Sequence, residues 1–170
     1  MSEEIFDIVD EQDRVIGRQT RAEVRRRGLR HRAVHVLVFN RQGQLFLQKR
    51  SASKDTFPGA WDSSASGHLC SGEDYDNCAV RELQEEIGLT VPVLPERLFK
   101  IGSCEETGQE HVWVYRCQAD GPLTLNADEI ERGEWFSPET IARWISEAPG
   151  DFARAFPMIW EICRRRQLVP

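Results

Sequence analysis

Gly67-His68-Leu69-Cys70-Ser71-Gly72-Glu73-Asp74-Tyr75-Asp76-Asn77-Cys78-Ala79-Val80-Arg81-Glu82-Leu83-Gln84-Glu85-Glu86-Ile87-Gly88-Leu89 is the stretch that decides the fold. Gly67 ends a strand-like segment and leads into a loop. Gly72 and Glu73 precede a helix, where the helix dipole favours an acid. From Asp74 to Ile87 the pattern turns helical: Ala79, Leu83 and Ile87 recur every four residues and Val80 widens that stripe. Gly88 stands where a helix stops. Glu82, Glu85 and Glu86 lie at i, i+3 and i+4 and span roughly 100° of one helix face. Like charges so placed destabilise a helix by a few tenths of a kcal/mol per pair unless something neutralises them. Oxygen-only ligands suit Mg2+ or Mn2+ and not Zn2+, and the Gly67 carbonyl is placed to join such a shell. The plain alternative is a solvated acidic face.

The segments on either side mix strands with helices. Ile5 to Val9 and Val15 to Gly17 flank Asp10-Glu11-Gln12-Asp13 and predict a hairpin. Thr20 caps a short helix over Arg21 to Arg27, stopped by Gly28. Val34 to Phe39 and Leu45 to Lys49 are strands joined by the turn Asn40-Arg41-Gln42-Gly43. Pro58-Gly59 precedes a short strand near Trp61 to Ser66. Leu98 to Cys104, Val112 to Cys117 and Glu134 to Phe136 are further strands. Ser137-Pro138-Glu139 starts a helix, and a last helix covers roughly Phe152 to Arg166. The expected class is α/β or α+β, a mixed sheet between helices with an N-terminal hairpin-and-helix extension. The expected organisation is an extension over residues 1–30 packed on the same domain as residues 31–170.

Composition narrows the function. The 170 residues suffice for one domain with a real core. The longest apolar run, Ala33 to Phe39, is too short to span a membrane and is broken by His35. The acidic N-terminus lacks a signal-peptide pattern. Five cysteines without a Cys-x-x-Cys pair fit free thiols, so a cytoplasmic protein is expected. The net charge of −6 repels phosphorylated substrates at long range. Binding one requires divalent cations or a local patch of Arg and Lys.

The Gly67–Leu89 spacing resembles the Nudix box with no position missing. A chance match at a given start is on the order of one in a billion. The resemblance implies a hydrolase of diphosphate linkages in nucleoside di- or triphosphates or nucleoside diphosphate derivatives. It implies Mg2+ (or Mn2+) held by Glu82, Glu85, Glu86 and the Gly67 carbonyl, with Arg81 and Glu73 orienting the glutamates. Water attacks one phosphorus and the other phosphate leaves. Glu82 is a candidate base, as are Glu110, Glu129 and Glu131 in loops outside the box.

Val9-Asp10-Glu11, Leu29 to Ala33, Gln48 to Lys54 and Phe57 to Trp61 are similar to the superfamily branch that contains isopentenyl-diphosphate isomerase. Residues 5 to about 140 share that likeness. Ser66 stands where the isomerase has its catalytic Cys. His31, His68 and Glu110 match three metal ligands, while Val24 and Gly108 replace the other two. The match implies a hydrolase on an isomerase-like scaffold, because a hydroxyl is a poorer proton donor than a thiol and the box here is intact.

Arg50 is the expected phosphate clamp, His68 a further substrate contact, and Lys49 and Lys54 weaker candidates. Trp61, Trp113, Tyr115 and Trp135 are candidates for stacking on a base. The cluster Arg25-Arg26-Arg27 with Arg30 and Arg32 raises RNA binding, which a net-acidic chain without interleaved aromatics disfavours. The family resemblance also allows a homodimer. The competing readings are an isomerase of isopentenyl diphosphate and a non-catalytic nucleotide- or RNA-binding module.

Overall fold

The computed structural model describes residues 2–170. The chain opens with β1 (Ile5–Val9) and β2 (Val15–Thr20), an antiparallel hairpin. Its turn is held by Asp10 Oδ1, which accepts from the backbone N–H groups of Gln12 and Arg14, each at 2.9 Å. Helix α1 (Arg21–Arg27) follows: the Thr20 hydroxyl accepts from Glu23 N at 3.2 Å, and Gly28 at φ 61° ends it, both as expected.

A seven-stranded mixed sheet forms the body, built from β3 (His31–Phe39), β4 (Leu45–Arg50), β5 (Trp61–Asp62), β6 (Ala65–His68), β7 (Glu96–Ile101), β8 (Glu110–Gln118) and β9 (Ile130–Phe136). β3 runs parallel to β8 along its whole length and antiparallel to β6. β4 pairs antiparallel with β5 and β9. α2 (Tyr75–Ile87) lies against one side, and α3 (Pro138–Glu147) and α4 (Ala155–Arg165) lie against the other.

β3 shows why helices cover both sides. Its alternate residues Ala33, Leu37 and Phe39 enter one apolar cluster with Phe156, Ile159 and Trp160. Val34, Val36 and Val38 enter the other with Cys78, Ala79 and Leu83. A strand apolar on both faces must be covered on both. β3 begins at His31, three residues before its valine alternation, because the parallel pairing with β8 starts at His31↔Glu110.

The expected strand near Trp61 to Ser66 is two strands. β3 and β4 pair at Phe39↔Leu45 and then separate to different neighbours. Ser64 sits where they part. Its hydroxyl accepts from Val38 N at 2.9 Å and donates to Phe46 O at 2.5 Å, supplying backbone groups that the separation leaves unpaired. The last helix starts at Ala155, not Phe152, because Phe152 is extended and bridges Trp61. On α2 the widening residue is Cys78: Val80 is only half-buried.

The N-terminal hairpin is pinned to the body through Asp13. Its carboxylate accepts from Arg32 of β3 at 2.6 Å and Tyr75 of α2 at 2.8 Å, and pairs with Lys100 of β7. Phe6, Ile8 and Val24 form a small apolar cluster under it. Among the described residues no helix is long and apolar enough to cross a membrane.

Candidate active site

A cleft of about 450 Å³ opens between the N-terminal extension, β3, β6, α2 and the loop after β4. The Gly67–Leu89 stretch supplies one wall. Asp74 caps α2 by accepting from Asn77 N at 2.8 Å, and Gly88 at φ 63° closes the helix. The buried positions of α2 fall at 75, 78/79, 82/83 and 86/87, so the apolar stripe carries Glu82 and Glu86 inward with it. Glu85 stays exposed.

Arg81 spends its guanidinium on the protein. It donates to both Glu73 oxygens at 2.8 and 3.0 Å, to Glu82 Oε1 at 2.8 Å, to Glu85 Oε2 at 3.0 Å and to the His68 carbonyl at 3.0 Å. Glu73 also accepts from Cys70 N at 3.0 Å. This ties the loop to the helix and leaves Arg81 an orienting role. Gly67 leaves the Glu82 carboxylate its place: a Cβ there would stand 1.9 Å from Glu82 Oε1 and displace it. Glu86 Oε2 accepts from Ser66 N at 3.0 Å and from Gln48 Nε2 at 2.7 Å.

The two inner carboxylates are under-compensated. Burial, then the neighbouring Glu86, pushes Glu82 up to about 8. Burial pushes Glu86 up to about 7 despite its two hydrogen bonds. A group of oxygens that resists ionisation for want of positive charge fits a hard divalent cation. Glu82, Glu85, Glu86 and the adjacent Gly67 carbonyl are the residues that would hold it.

Across the cleft stands a group of the opposite character. Glu110 Oε1 lies 2.8 Å from His68 Nε2 and 3.4 Å from His31 Nε2. Burial alone would raise Glu110, but the His68 charge and the hydrogen bonds from both imidazoles outweigh it and hold the carboxyl well below its usual range. Phe6 of β1 stacks on His31 at 5.7 Å and 11°, covering the pair from outside. The three ligand atoms lie within 4.8 Å of one another, a nitrogen-rich set that suits a transition metal rather than Mg2+. Val24 and Gly108 also line the cleft.

The cations are less free than their sequence positions imply. Arg50 lines the cleft, but Nε and Nη2 donate to the Thr56 carbonyl at 3.0 and 2.9 Å, and Nη1 sits 3.5 Å from Asp62. Its first task is to fold the loop after β4. Lys54 lines the cleft paired with Glu129, while Lys49 and Glu131 pair at 3.1 Å away from it. The basic cluster is divided among separate carboxylates: Arg25 with Asp55, Arg26 with Glu23, Arg30 with Glu11 and Arg32 with Asp13. It offers no continuous basic stripe.

The four aromatic candidates for base stacking are not in the cleft. Trp61 is core and packs on Phe136 and Trp144. Tyr115 is fully buried and donates to Asp76 at 2.7 Å. Trp113 lies under Arg97, and Trp135 packs edge-on to Phe46. Phe57, which is exposed and lies under Arg154, is the aromatic at the cleft mouth. Sequence reasoning also missed the buried polar residues His35, Asp62, Ser63 and Gln48. The signal for His35 was the period of two on β3, which puts His31, Ala33 and His35 on one face.

The chain resembles known proteins over most of its length. The NUDIX domain family model matches residues 29–156. An uncharacterized Nudix hydrolase of Pseudomonas aeruginosa is 42% identical over 140 residues, 80% of each chain. The crystal structure of DR0079 from Deinococcus radiodurans is similar at TM-score 0.76 and 33% identity, covering 85% of this chain and 90% of that one. The NUDIX domain of Shewanella oneidensis NrtR, solved with ADP ribose, shares the fold at TM-score 0.64 and 17% identity, covering 88% and 99%.

Proposed function

The chain belongs to the Nudix hydrolase family, and on that premise we propose that it is a divalent-cation-dependent hydrolase of a diphosphate linkage in a nucleoside di- or triphosphate or a nucleoside diphosphate derivative. The observation that carries the reading is the buried pair Glu82 and Glu86, both pushed up, to about 8 and about 7, beside a glycine whose added Cβ would displace the Glu82 carboxylate. Mg2+ or Mn2+ on Glu82, Glu85, Glu86 and the Gly67 carbonyl would neutralise and align the two phosphoryl groups.

The chain's own residues do the rest. Arg81 and Glu73 fix the glutamates. Ser66 N and Gln48 hold one Glu86 oxygen and leave the other open. Glu82 is the base we propose, because its carboxylate faces Gly67 in the cleft, within the set that would hold the cation and its water. As the water oxygen bonds to one phosphorus, the bridging P–O bond breaks and its electron pair leaves with the other phosphate. Glu110 is a poor alternative, being ionised and held by two imidazoles.

The test is turnover of ADP-ribose, GTP and diadenosine tetraphosphate with Mg2+ or Mn2+, for the native chain and Glu86→Gln. Product release that falls at least roughly 100-fold in the variant is expected, the upper end for residues that merely support a metal's ligands. No turnover of any substrate, or an equally active variant, would sink the proposal.

A further inference from the structure

His35 is a buried residue in the cleft that the hydrolytic reading leaves without a task. It lies on β3, two positions beyond Ala33 and four beyond His31, and its register partner on β6 is Ser66. Ser66 N in turn donates to Glu86. The ring therefore stands on the cleft floor, beside the strand that carries Ser66 and Gly67. Asp62 from β5, Glu110 from β8, Arg50 from β4 and His68 from β6 all face it, and burial keeps the imidazole neutral.

The proton on that ring can be assigned by counting donors. Nδ1 lies 2.7 Å from Ser63 Oγ. Ser63 is fully buried, and His35 is the partner of its hydroxyl among the described residues. If Nδ1 donated, the hydroxyl proton would be left unpaired in a closed site, which is costly. If the hydroxyl donates to Nδ1, every group is satisfied, and the ring proton resides on Nε2. Among the described residues two buried side-chain nitrogens lack a partner, Arg30 Nε and Trp160 Nε1. His35 Nε2 is not one of them, so it opens on the cleft that His35 lines.

We propose that His35 is a specificity residue: a neutral imidazole that donates from Nε2–H to an uncharged oxygen, a hydroxyl or carbonyl, on the organic group that the diphosphate carries. The assignment to an uncharged acceptor follows from the surroundings. Asp62 Oδ1 stands 3.8 Å from Nδ1, and Glu110 is ionised nearby, so an anion placed here meets two carboxylates. Arg50 Nη1 sits 3.5 Å from Asp62 Oδ2 while its other donors go to Thr56, so one guanidinium stands against the two carboxylates. The wall beside it mixes those polar groups with two small apolar residues, Ala33 on β3 and Ala153, whose N–H donates to the Trp61 carbonyl. A hydrogen-bond donor in such a wall rejects ligands that cannot accept, because its own proton would go unpaired. The diphosphate part rests on the hydrolase reading; the donor assignment does not.

Long-range 1H–15N NMR on the full chain reads the tautomer directly. A neutral Nε2–H ring is expected, and an Nδ1–H ring overturns the proposal whether or not any substrate is hydrolysed. Kinetics read the specificity. Among ADP-ribose, GTP and diadenosine tetraphosphate, the best substrate is compared with methyl diphosphate, which carries no acceptor beyond its phosphates. His35→Phe should lower kcat/KM for the former at least about tenfold relative to the latter, mainly through KM, and His35→Gln should recover part of it. An equal loss on both substrates would show a merely structural ring. Should His35→Phe fail to fold, Ser63→Ala decides: mixed tautomers with a loss of about twofold to threefold support the proposal, and an unchanged tautomer with unchanged kinetics overturns it. If the whole panel is inert, the hydrolase reading falls and the tautomer alone decides on the donor.

Discussion

Two walls of one cleft hold carboxylates in opposite electrical states. On α2, Glu82 and Glu86 are buried beside each other, and Arg81 cannot compensate both. Across from them, Glu110 is half-buried, and His31 and His68 supply the positive ends of its hydrogen bonds from within the chain. Burial has the same sign for all three. What differs is whether the protein brought its own counter-charge. The α2 wall did not, and that deficiency is what an external cation meets. The Glu110 wall is complete without one.

The sharpest way to break the α2 wall is Gly67→Ala. The added methyl would overlap Glu82, whose Oε1 stands 1.9 Å from its position, so the carboxylate must move. A displaced ligand should cost at least about 100-fold in kcat/KM, beyond the 10–100-fold typical of supporting residues. Near-native kinetics would mean that Glu82 geometry does not matter.

His68→Phe breaks the other wall and keeps its ring stacking. Glu110 then loses the partner at 2.8 Å and retains the weaker one at 3.4 Å. The expected cost at pH 7 is about 2 kcal/mol, as for a charged group deprived of a hydrogen bond. The sign is fixed by the depressed carboxyl. Its stabilisation is present above the unfolded value of 4.5 and is lost as pH falls through the lower folded value. The gap between variant and native unfolding temperatures should therefore hold from pH 7 down to about 4.5 and shrink below it. A gap independent of pH would assign the loss to packing.

The α2 wall must respond to pH in the reverse sense. Glu82 and Glu86 are raised from 4.5 to about 8 and about 7, so folding favours their protonated forms. That contribution is fully present below 4.5 and is lost as pH rises through 7 to 8. Metal-free protein should lose at least about 3 °C in Tm between pH 6 and pH 9, given about 2–4 °C per kcal/mol at this chain length. Millimolar Mg2+ or Mn2+ should restore it at pH 9. A flat metal-free profile would contradict the uncompensated state of that wall.

The two walls also differ in how far sequence could read them. The α2 wall was written locally: Asp74, Gly88, the four-residue apolar repeat and the glutamate spacing lie within one helix of about four turns. Cap and periodicity rules act at that range. The Glu110 wall joins β1, β3, β6 and β8, and only strand register brings its residues together. The resemblance to isomerase ligands pointed to His31, His68 and Glu110 but not to the Phe6 cover. His35 escaped because the period of two on β3 marks its side of the strand and not its task, which the facing Ser63 reveals. The split of β5 from β6 escaped for a similar reason, since the separation of β3 and β4 is set by their other partners. The tryptophans misled because composition reports a ring and not its side of the sheet.

The smallest effect expected is at the mouth between the walls, where Arg25 of α1 meets Asp55 of the loop after β4 at 2.5 Å. The short distance suggests a latch holding the N-terminal extension over the cleft. Exposure argues otherwise: the Asp55 side chain is 69% exposed, and exposed pairs contribute about 0–1 kcal/mol. The extension has stronger anchors in Asp13, with its three partners, and in Phe6 against the histidines. Asp55→Asn should thus shift Tm by less than about 2 °C and change kcat/KM by less than about threefold. A larger kinetic change at unaltered Tm would mean that Arg25 is steered by Asp55 toward the substrate, making the mouth a working part of the cleft and not a rim.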